Sequence, residues 1–389
     1  MLLSLALIFV LALFLSKIFE LIKLPTLLGM IATGIILGPY ALNLIDSSIL
    51  EISPELRKMA LIIILIRAGF NLEIDDVKKN GRAGALLSFL PACFEITAIV
   101  IFAPLFFGVS YLEAAIMGAV LAAVSPAVIV PRMINLIDKK IGTEKKIPQL
   151  IMAGASLDDI FVMVLFSVFV GMQVSGQLEG LSLLKIPTSI IIGIVVGFAT
   201  AILLKIFFTK IHIRDSAKIL IIMSIAFAFV TIEDTLDGII GFSGLLAVMA
   251  TAIMLRQKKP ELTKRLSNKF SKMWVVAEIL LFTLVGAGVD ISYAINAGLM
   301  AIVLIFVALA IRIIGVYTSL LGTKLNGKEK LFCAFSYMPK ATVQAAIGGI
   351  PLSMGLACGD LVLTMAVLSI IVTAPLGAFL IDKTQNKLL

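Results

Sequence analysis

The sequence predicts an all-α polytopic membrane protein with about thirteen transmembrane helices, since each such helix needs about 20 predominantly apolar residues. Of the 389 residues, 60% are hydrophobic and 14% are charged, whereas soluble domains average about 45–50% apolar and about 25% charged residues. The apolar residues lie in segments of roughly bilayer length, and the basic residues gather in the short loops between them. This pattern excludes a soluble globular protein and predicts no separate soluble domain.

The predicted spans are apolar segments separated by short polar connections. In chain order they are 2–19, 25–42, 57–74, 83–108, 112–134, 147–174, 181–209, 215–233, 238–256, 272–290, 296–321, 329–355 and 359–381. The first segment lacks a basic start and a small-residue cleavage site, so it is expected to be an uncleaved helix. The longest polar connection, about 257–271, is expected to be a cytoplasmic linker between two halves.

The positions of the basic residues predict how the chain lies in the membrane. A net charge of +8 is compatible with nucleic-acid binding, but a basic stripe on a soluble fold is missing, so no nucleic-acid partner is expected. The positive-inside rule places the N-terminus outside and the C-terminus in the cytoplasm, in an inner or plasma membrane. Of the 32 Lys and Arg, all but six are expected on the cytoplasmic side of the membrane. Arg57, Lys58 and Lys185 are expected on the opposite side, and Arg67, Arg312 and Lys340 lie within spans.

Two pairs of spans share a sequence offset that indicates an inverted repeat. Residues 27–37 match residues 245–255 at six of eleven positions, and the offset of 218 nearly holds between residues 67–72 and 286–291. The matched spans are seven apart, an odd number, so the two copies cross the membrane in opposite directions. Inverted repeats are typical of secondary transporters, whose binding site lies at the repeat interface near the membrane midplane.

Charged residues inside the spans mark the candidate site, because a charge at the bilayer centre costs at least about 2.5–3.5 kcal/mol. Asp158 and Asp159 are adjacent in the sixth span, and neighbours on a helix point about 100° apart, so we expect them to face different surroundings. Burial and a like-charged neighbour both disfavour an ionised carboxylate, so a proton and a cation would compete for this pair. A helix-end pair satisfied by backbone and water is the simpler alternative.

The fifth and twelfth spans carry residues that interrupt helices. Ser125-Pro126 lies in the fifth span, and Pro339 and Gly348-Gly349 lie in the twelfth. Proline removes a backbone donor and glycine permits unusual dihedral angles, so both spans are predicted to be discontinuous at mid-membrane, where freed backbone groups can line an ion site. An ordinary proline kink is the alternative for either span taken alone.

Glu95 in the fourth span and Arg312 in the eleventh are predicted to form a buried ion pair. Their spans are also seven apart, and an inverted repeat can bring such positions together near its axis. Arginine keeps its proton, so this pair is expected to be structural rather than a proton carrier. Lys340 differs, because a desolvated lysine can titrate.

Three features together resemble the monovalent cation:proton antiporter superfamily, in the branch that bears paired aspartates. They are Asp158-Asp159, Ser125-Pro126 and the string Met338-Pro339-Lys340-Ala341-Thr342-Val343-Gln344-Ala345-Ala346. The last string is similar to that of NHA-type sodium/proton exchangers, and the resemblance covers nearly the whole chain. It implies the sodium/proton antiporter fold, with an inverted repeat and two crossed discontinuous helices that include Pro126, Pro339, Gly348 and Gly349.

The resemblance also implies roles for parts of the chain. It implies a homodimer whose protomers each have a core that moves like an elevator, about residues 83–174 and 296–381, and a dimerisation scaffold, about 1–74 and 181–290. Asp159 would be the main Na⁺ ligand and Asp158 its partner. Ser125 and Lys340 would belong to the same cation- and proton-binding site.

The function that follows is secondary active exchange of Na⁺ or Li⁺ for H⁺. The chain contains no Gly-x-x-x-x-Gly-Lys-[Ser/Thr] loop, so an ion gradient is expected to drive transport, with no cofactor and no enzymatic activity. Arg312 stands where electrogenic bacterial members carry a lysine, which implies electroneutral exchange, although Lys340 leaves the stoichiometry open. The alternatives are a K⁺/H⁺ exchanger of the same fold and, from a different class, a cation channel with a continuous pore.

Overall fold

The computed structural model describes residues 1–71, 81–175, 180–236 and 241–389. These residues are predominantly helical and include no β-strand, which confirms the predicted all-α class. The helices are α1 (Leu2–Leu21), α2 (Thr26–Leu37), α3 (Ser47–Glu51), α4 (Ser53–Asn71), α5 (Gly81–Leu87), α6 (Leu90–Phe107), α7 (Tyr111–Ala122), α8 (Pro126–Asp138), α9 (Ile147–Ser175), α10 (Gly180–Lys210), α11 (Asp215–Leu236), α12 (Gly244–Lys258), α13 (Pro260–Ala287), α14 (Ile291–Ser319), α15 (Gly327–Ser336), α16 (Thr342–Ile347), α17 (Ile350–Ser353) and α18 (Gly359–Leu388).

Nine segments within the described ranges are long and apolar enough to cross a membrane. They include α1, the α5–α6 and α7–α8 segments, and α18, while α2 is apolar but has only 12 residues. The count of about thirteen therefore stays a prediction. The predicted third and ninth spans reach into residues 72–80 and 237–240, which lie outside the described residues, as do the loop residues Lys78 and Lys79.

Two predicted boundaries differ from the structure. The fourth span is interrupted at Ser88 and Phe89, because Pro91 in the first turn of α6 has no N–H to donate to the carbonyl of Leu87, four residues earlier, and its ring crowds that carbonyl. The expected linker at 257–271 is largely helical, since α13 begins at Pro260. Leu266 and Phe270 are fully buried and recur every four residues, which is the spacing of one helix face.

The described chain divides into two compact units. One comprises Met1–Arg57, Asp75–Phe166 and Ile279–Leu389, and the other comprises Lys58–Ile74 and Ser167–Glu278. In the second unit α10 packs on α12. The first unit contains every predicted site residue, from Glu95 to Gly349.

Within the first unit, close packing of α6 against α14 brings Glu95 and Arg312 to one interface. Gly315 makes this approach possible, because a Cβ at that position would lie 2.9 Å from Cα of Pro91 and 3.1 Å from the side chain of Phe94. Gly315 follows Arg312 by three residues, so both lie on the same face of α14. Arg312 thus points into the interface rather than towards lipid.

Two discontinuous helices lie in this unit, and the fold prediction is confirmed in this respect. The first leaves helical geometry between α7 and α8, where Ala123 and Ser125 are extended. Pro126 then starts α8 at the position where a missing N–H costs nothing. The second is interrupted between α15 and α16, across Pro339 and up to Ala341, the residue before α16.

Candidate functional site

The two interruptions meet, and a main-chain hydrogen bond joins them. The N–H of Ser125 donates to the carbonyl oxygen of Pro339 at 2.8 Å. The N–H of Lys340 donates to Oγ1 of Thr373 in α18 at 2.9 Å. Buried backbone groups outside a helix are costly unless they are paired, so these bonds allow non-helical backbone to exist at membrane depth.

Gln344 connects the same two segments with its side chain. Its amide nitrogen donates to the carbonyl oxygen of Ala123 at 2.7 Å and to that of Leu121 at 3.3 Å. Its amide oxygen accepts from the N–H of Ala341 at 2.8 Å. This fully buried amide therefore satisfies carbonyls at the end of α7 and an N–H at the start of α16.

Four buried charges form an alternating chain around the interruptions. Glu95 Oε2 lies 2.6 Å from a guanidinium nitrogen of Arg312 and 2.6 Å from Nζ of Lys340. The second guanidinium nitrogen of Arg312 lies 3.0 Å from Asp158 Oδ2. The four side chains are at most 3% exposed. Two cations and two anions alternate, so the chain of charges is neutral when all four groups are ionised.

Arg312 also ties this charge chain to the backbone of both discontinuous helices. It donates to the carbonyl oxygen of Ala122 at the end of α7, and its Nε donates to the carbonyl oxygen of Tyr337 at 2.8 Å. Asp158 accepts a further hydrogen bond, at 2.9 Å, from the N–H of Val124. A single guanidinium thus holds α6, α7, α9 and the segment after α15.

Asp159 is buried beside this network without an ion pair of its own. It is 8% exposed and Asp158 is 0% exposed, and among the described residues no hydrogen bond or ion pair to Asp159 is found. Other buried oxygens without a partner in the described part of the chain belong to the same segments. They include Oγ of Ser125, Oδ1 of Asp158, Oγ1 of Thr342 and the hydroxyl oxygen of Tyr337. Oxygens of this kind are the ligands that Na⁺ and a proton can share.

The structure brings together most of the predicted site. Asp158, Lys340, Glu95 and Arg312 share one network, and Ser125 is bonded through its backbone to Pro339. Asp158 and Asp159 face different surroundings, as their helical spacing predicts. The sequence reasoning paired Arg312 with Glu95 alone and did not find the bonds of Asp158 and Lys340. Gln344 and Thr342 belong to the string that resembles NHA-type exchangers, but the sequence alone gives neither of them a role.

Gly348 and Gly349 end α16, but not through unusual dihedral angles. Both residues have right-handed helical values. A Cβ at Gly348 would lie 2.6 Å from that of Ala366 in α18, and one at Gly349 would collide with the guanidinium of Arg57 in α4. Gly348 is therefore required for close packing against α18 rather than for backbone flexibility, whereas the neighbour of Gly349 is the end of a flexible arginine side chain.

Comparisons with known proteins identify the family of the chain. Residues 6–382 match the family described as sodium/hydrogen exchanger, transmembrane. Human sodium/hydrogen exchanger 9B2 is 32% identical over 399 residues, covering 96% of this chain and 72% of the relative. Human sodium/hydrogen exchanger 9B1 is 31% identical over 406 residues, covering 96% and 75%.

A solved structure shares the fold. The sodium proton antiporter MjNhaP1 of Methanocaldococcus jannaschii superposes with a TM-score of 0.84 over 99% of this chain and 97% of its own, at 22% identity. The architecture of this chain is therefore the sodium/proton antiporter fold. Since the family match covers nearly the whole sequence, the chain belongs to the sodium/hydrogen exchanger family of cation:proton antiporters.

Proposed function

We propose that the protein exchanges Na⁺ or Li⁺ for H⁺ across the membrane with one-for-one, electroneutral stoichiometry. The observation that carries the proposal is the charge count at the site. Glu95, Arg312, Lys340 and Asp158 compensate one another, so Asp159 supplies the one uncompensated charge of this network. A proton or a monovalent cation on Asp159 then makes the whole site neutral.

The same charge count explains why exchange would be coupled. Moving an unneutralised charge through the bilayer is expensive, so a site with an empty, ionised Asp159 crosses poorly. A site that holds either a proton or Na⁺ is neutral and crosses readily. Because Asp159 holds one ion at a time, each Na⁺ that moves one way is matched by one proton that moves the other way.

We place this exchange in an elevator-type movement within a homodimer. The moving core would be residues 83–174 and 296–381, which contain every residue of the charge chain, and the scaffold would be residues 1–74 and 181–290. The protein would lie in the cell membrane, with its N-terminus outside and its C-terminus in the cytoplasm. No cofactor takes part, and Na⁺, Li⁺ and H⁺ are substrates. The names of the sodium/hydrogen exchanger relatives support this assignment of substrates.

The test is transport by proteoliposomes that contain a pH-sensitive dye and receive steps of Na⁺, Li⁺ or K⁺. We expect Na⁺ and Li⁺ to drive proton movement in the wild type, and Asp159→Asn to abolish it, a loss of at least about 100-fold. Asp138→Asn is the matched control, since Asp138 is an exposed residue at the end of α8. It should exchange at the wild-type rate.

Each part of the proposal has its own contrary result. Unaltered exchange by Asp159→Asn contradicts the assignment of the carrier residue. Exchange driven by K⁺ but not by Na⁺ supports the K⁺/H⁺ alternative, and ion flux without proton movement supports the channel. A wild-type rate that depends on a clamped membrane potential contradicts electroneutrality.

A further inference from the structure

We infer that Tyr337 is a positioning residue for the exchange reaction, because its hydroxyl group, seated against Gly154, sets the position of α9 along α15. The inference rests on the proposed function, since it concerns how the aspartate pair is held. Tyr337 is fully buried and follows α15 directly, where the second discontinuous helix leaves helical geometry.

The hydroxyl group occupies space that glycine alone leaves free at position 154. A Cβ on Gly154 would overlap the hydroxyl oxygen of Tyr337, yet it would lie 3.4 Å from Cζ of the same ring, which is an ordinary contact. It would also lie 3.0 Å from Cβ of Leu87, a close contact that a shift of a few tenths of an ångström relieves. Gly154 precedes Asp158 by four residues, about one helical turn, so both lie on one face of α9. The contact therefore holds α9 one turn before Asp158.

The backbone of Tyr337 holds the same helix a second time, through Arg312. Its carbonyl oxygen accepts from Arg312 Nε at 2.8 Å, and the guanidinium of Arg312 donates to Asp158 at 3.0 Å. Tyr337, Arg312, Asp158 and Gly154 thus form a closed ring of contacts. A slide of α9 along its axis would disturb either the hydroxyl contact or the Asp158 bond, so the ring fixes where the aspartates lie.

The surroundings of the hydroxyl group argue against a role in stability alone. The ring of Tyr337 belongs to a buried apolar cluster that includes Leu87, Ile151, Phe332 and Cys333. In the described part of the chain the hydroxyl oxygen has no hydrogen-bond partner, and burying an unpaired hydroxyl is unfavourable. Phenylalanine would fill the cluster without that cost, but it would not reach Gly154.

Four variants separate positioning from packing: Gly154→Ala, Tyr337→Phe, the double variant that combines them, and Gly171→Ala. Gly171 is the matched control, because it lies on the same helix and a Cβ there meets nothing within 4 Å. The measurements are the KM for Na⁺ and the maximal rate of exchange in proteoliposomes, with thermal unfolding of each variant in detergent.

We expect Gly154→Ala to lower the ratio of maximal rate to KM at least about tenfold, because an added methyl in a packed core displaces its neighbours. Tyr337→Phe should raise the KM for Na⁺ about threefold without lowering the unfolding temperature. The double variant should recover to within about threefold of Tyr337→Phe, since the alanine methyl then occupies the space of the lost hydroxyl. Gly171→Ala should behave as the wild type.

A double variant that exchanges no better than Gly154→Ala overturns the inference, as does a Tyr337→Phe variant with the wild-type KM. If Gly154→Ala does not fold, recovery of folded protein in the double variant tests the contact, and the KM of Tyr337→Phe tests the positioning. A wild type that performs no exchange contradicts the proposed function instead, and the unfolding temperatures then still decide whether the two residues are coupled.

Discussion

The two aspartates of α9 face opposite conditions, although they are neighbours in sequence. Asp158 Oδ2 accepts hydrogen bonds from the guanidinium of Arg312 at 3.0 Å and from the N–H of Val124 at 2.9 Å. The face that carries Asp159 offers no such partner among the described residues. A carboxylate that is already paired has little to gain from a cation, whereas an unpaired one must find an ion or a proton. Under the proposed function this difference makes Asp159 the carrier, with Asp158, whose Oδ1 is also unpaired among the described residues, as its partner at the site.

The largest effect is expected from removing Arg312, the cation that lies between Glu95 and Asp158 in the chain of charges. Arg312→Met leaves Asp158 without an ion pair and Glu95 with Lys340 alone, and removing one partner of a buried pair costs about 3–5 kcal/mol. We expect a lower unfolding temperature and no measurable exchange. Arg312→Lys is the control, since it keeps the charge but loses the fork that reaches several partners. If Arg312→Met is as stable as the wild type, the paired face does not stabilise the fold.

Lys340→Gln should alter the charge count while leaving Arg312 to hold Glu95. The site would then carry one net negative charge when loaded, so its passage becomes sensitive to voltage. The activation free energy can change by at most about 2.3 kcal/mol per 100 mV, the value for a charge that crosses the whole membrane potential. This change corresponds to about fiftyfold in rate. Rates measured at clamped potentials check this, with Lys340→Arg as the charge-preserving control. Voltage-independent exchange by Lys340→Gln would contradict the neutral charge chain.

Gln344→Leu should have a moderate effect, because it removes bonds that join the two interruptions without removing a charge. The carbonyl of Ala123 and the N–H of Ala341 lose their partner, and each buried group left unpaired costs about 1–3 kcal/mol. Gln344→Leu should therefore have a lower unfolding temperature than the wild type. Gln344→Glu keeps the acceptor but not the donor, so its unfolding temperature should lie between those of Gln344→Leu and the wild type. Equal stability of all three would show that the side chain does not connect the segments.

The smallest effect is expected from an ion pair at the start of α15. Lys145 Nζ lies 2.8 Å from Glu329, and the lysine side chain is 39% exposed. Ion pairs of this kind contribute about 0–1 kcal/mol, so Lys145→Ala should shift unfolding only slightly and leave exchange unchanged. Glu329→Gln should cost more, because Glu329 also caps α15 through the N–H of Asn326. A larger loss of stability in Lys145→Ala than in Glu329→Gln would show that the exposed charge contributes at least as much as the more buried one.

Local chemistry made much of this site predictable. The cost of a charge in lipid singled out Asp158, Asp159, Glu95 and Arg312, and proline identified both discontinuous helices. The bond of Arg312 to Asp158 joins residues that are 154 positions apart in the sequence, and the bond of Lys340 to Glu95 joins residues that are 245 positions apart. Such contacts depend on how helices pack, which hydrophobic periodicity does not specify.

The errors in helix boundaries have a local cause. The interruption at Ser88 and Phe89 reflects Pro91, which cannot donate to the carbonyl of Leu87 one turn earlier, although the segment is strongly apolar on both sides. Residues 257–271 read as a linker because their charges are dense, yet Leu266 and Phe270 are the buried stripe of a helix. Hydropathy averaged over a window hides such a stripe.

The hydrogen bond from the N–H of Ser125 to the carbonyl of Pro339 has a consequence for divergence within such a protein. Main-chain atoms are the same in every residue type, so side chains around the crossing can be exchanged without losing this bond, proline at position 125 excepted. Selectivity for one cation or another can therefore change through single substitutions while the supporting backbone persists. A lineage built on this crossing can explore new substrates without first rebuilding its fold.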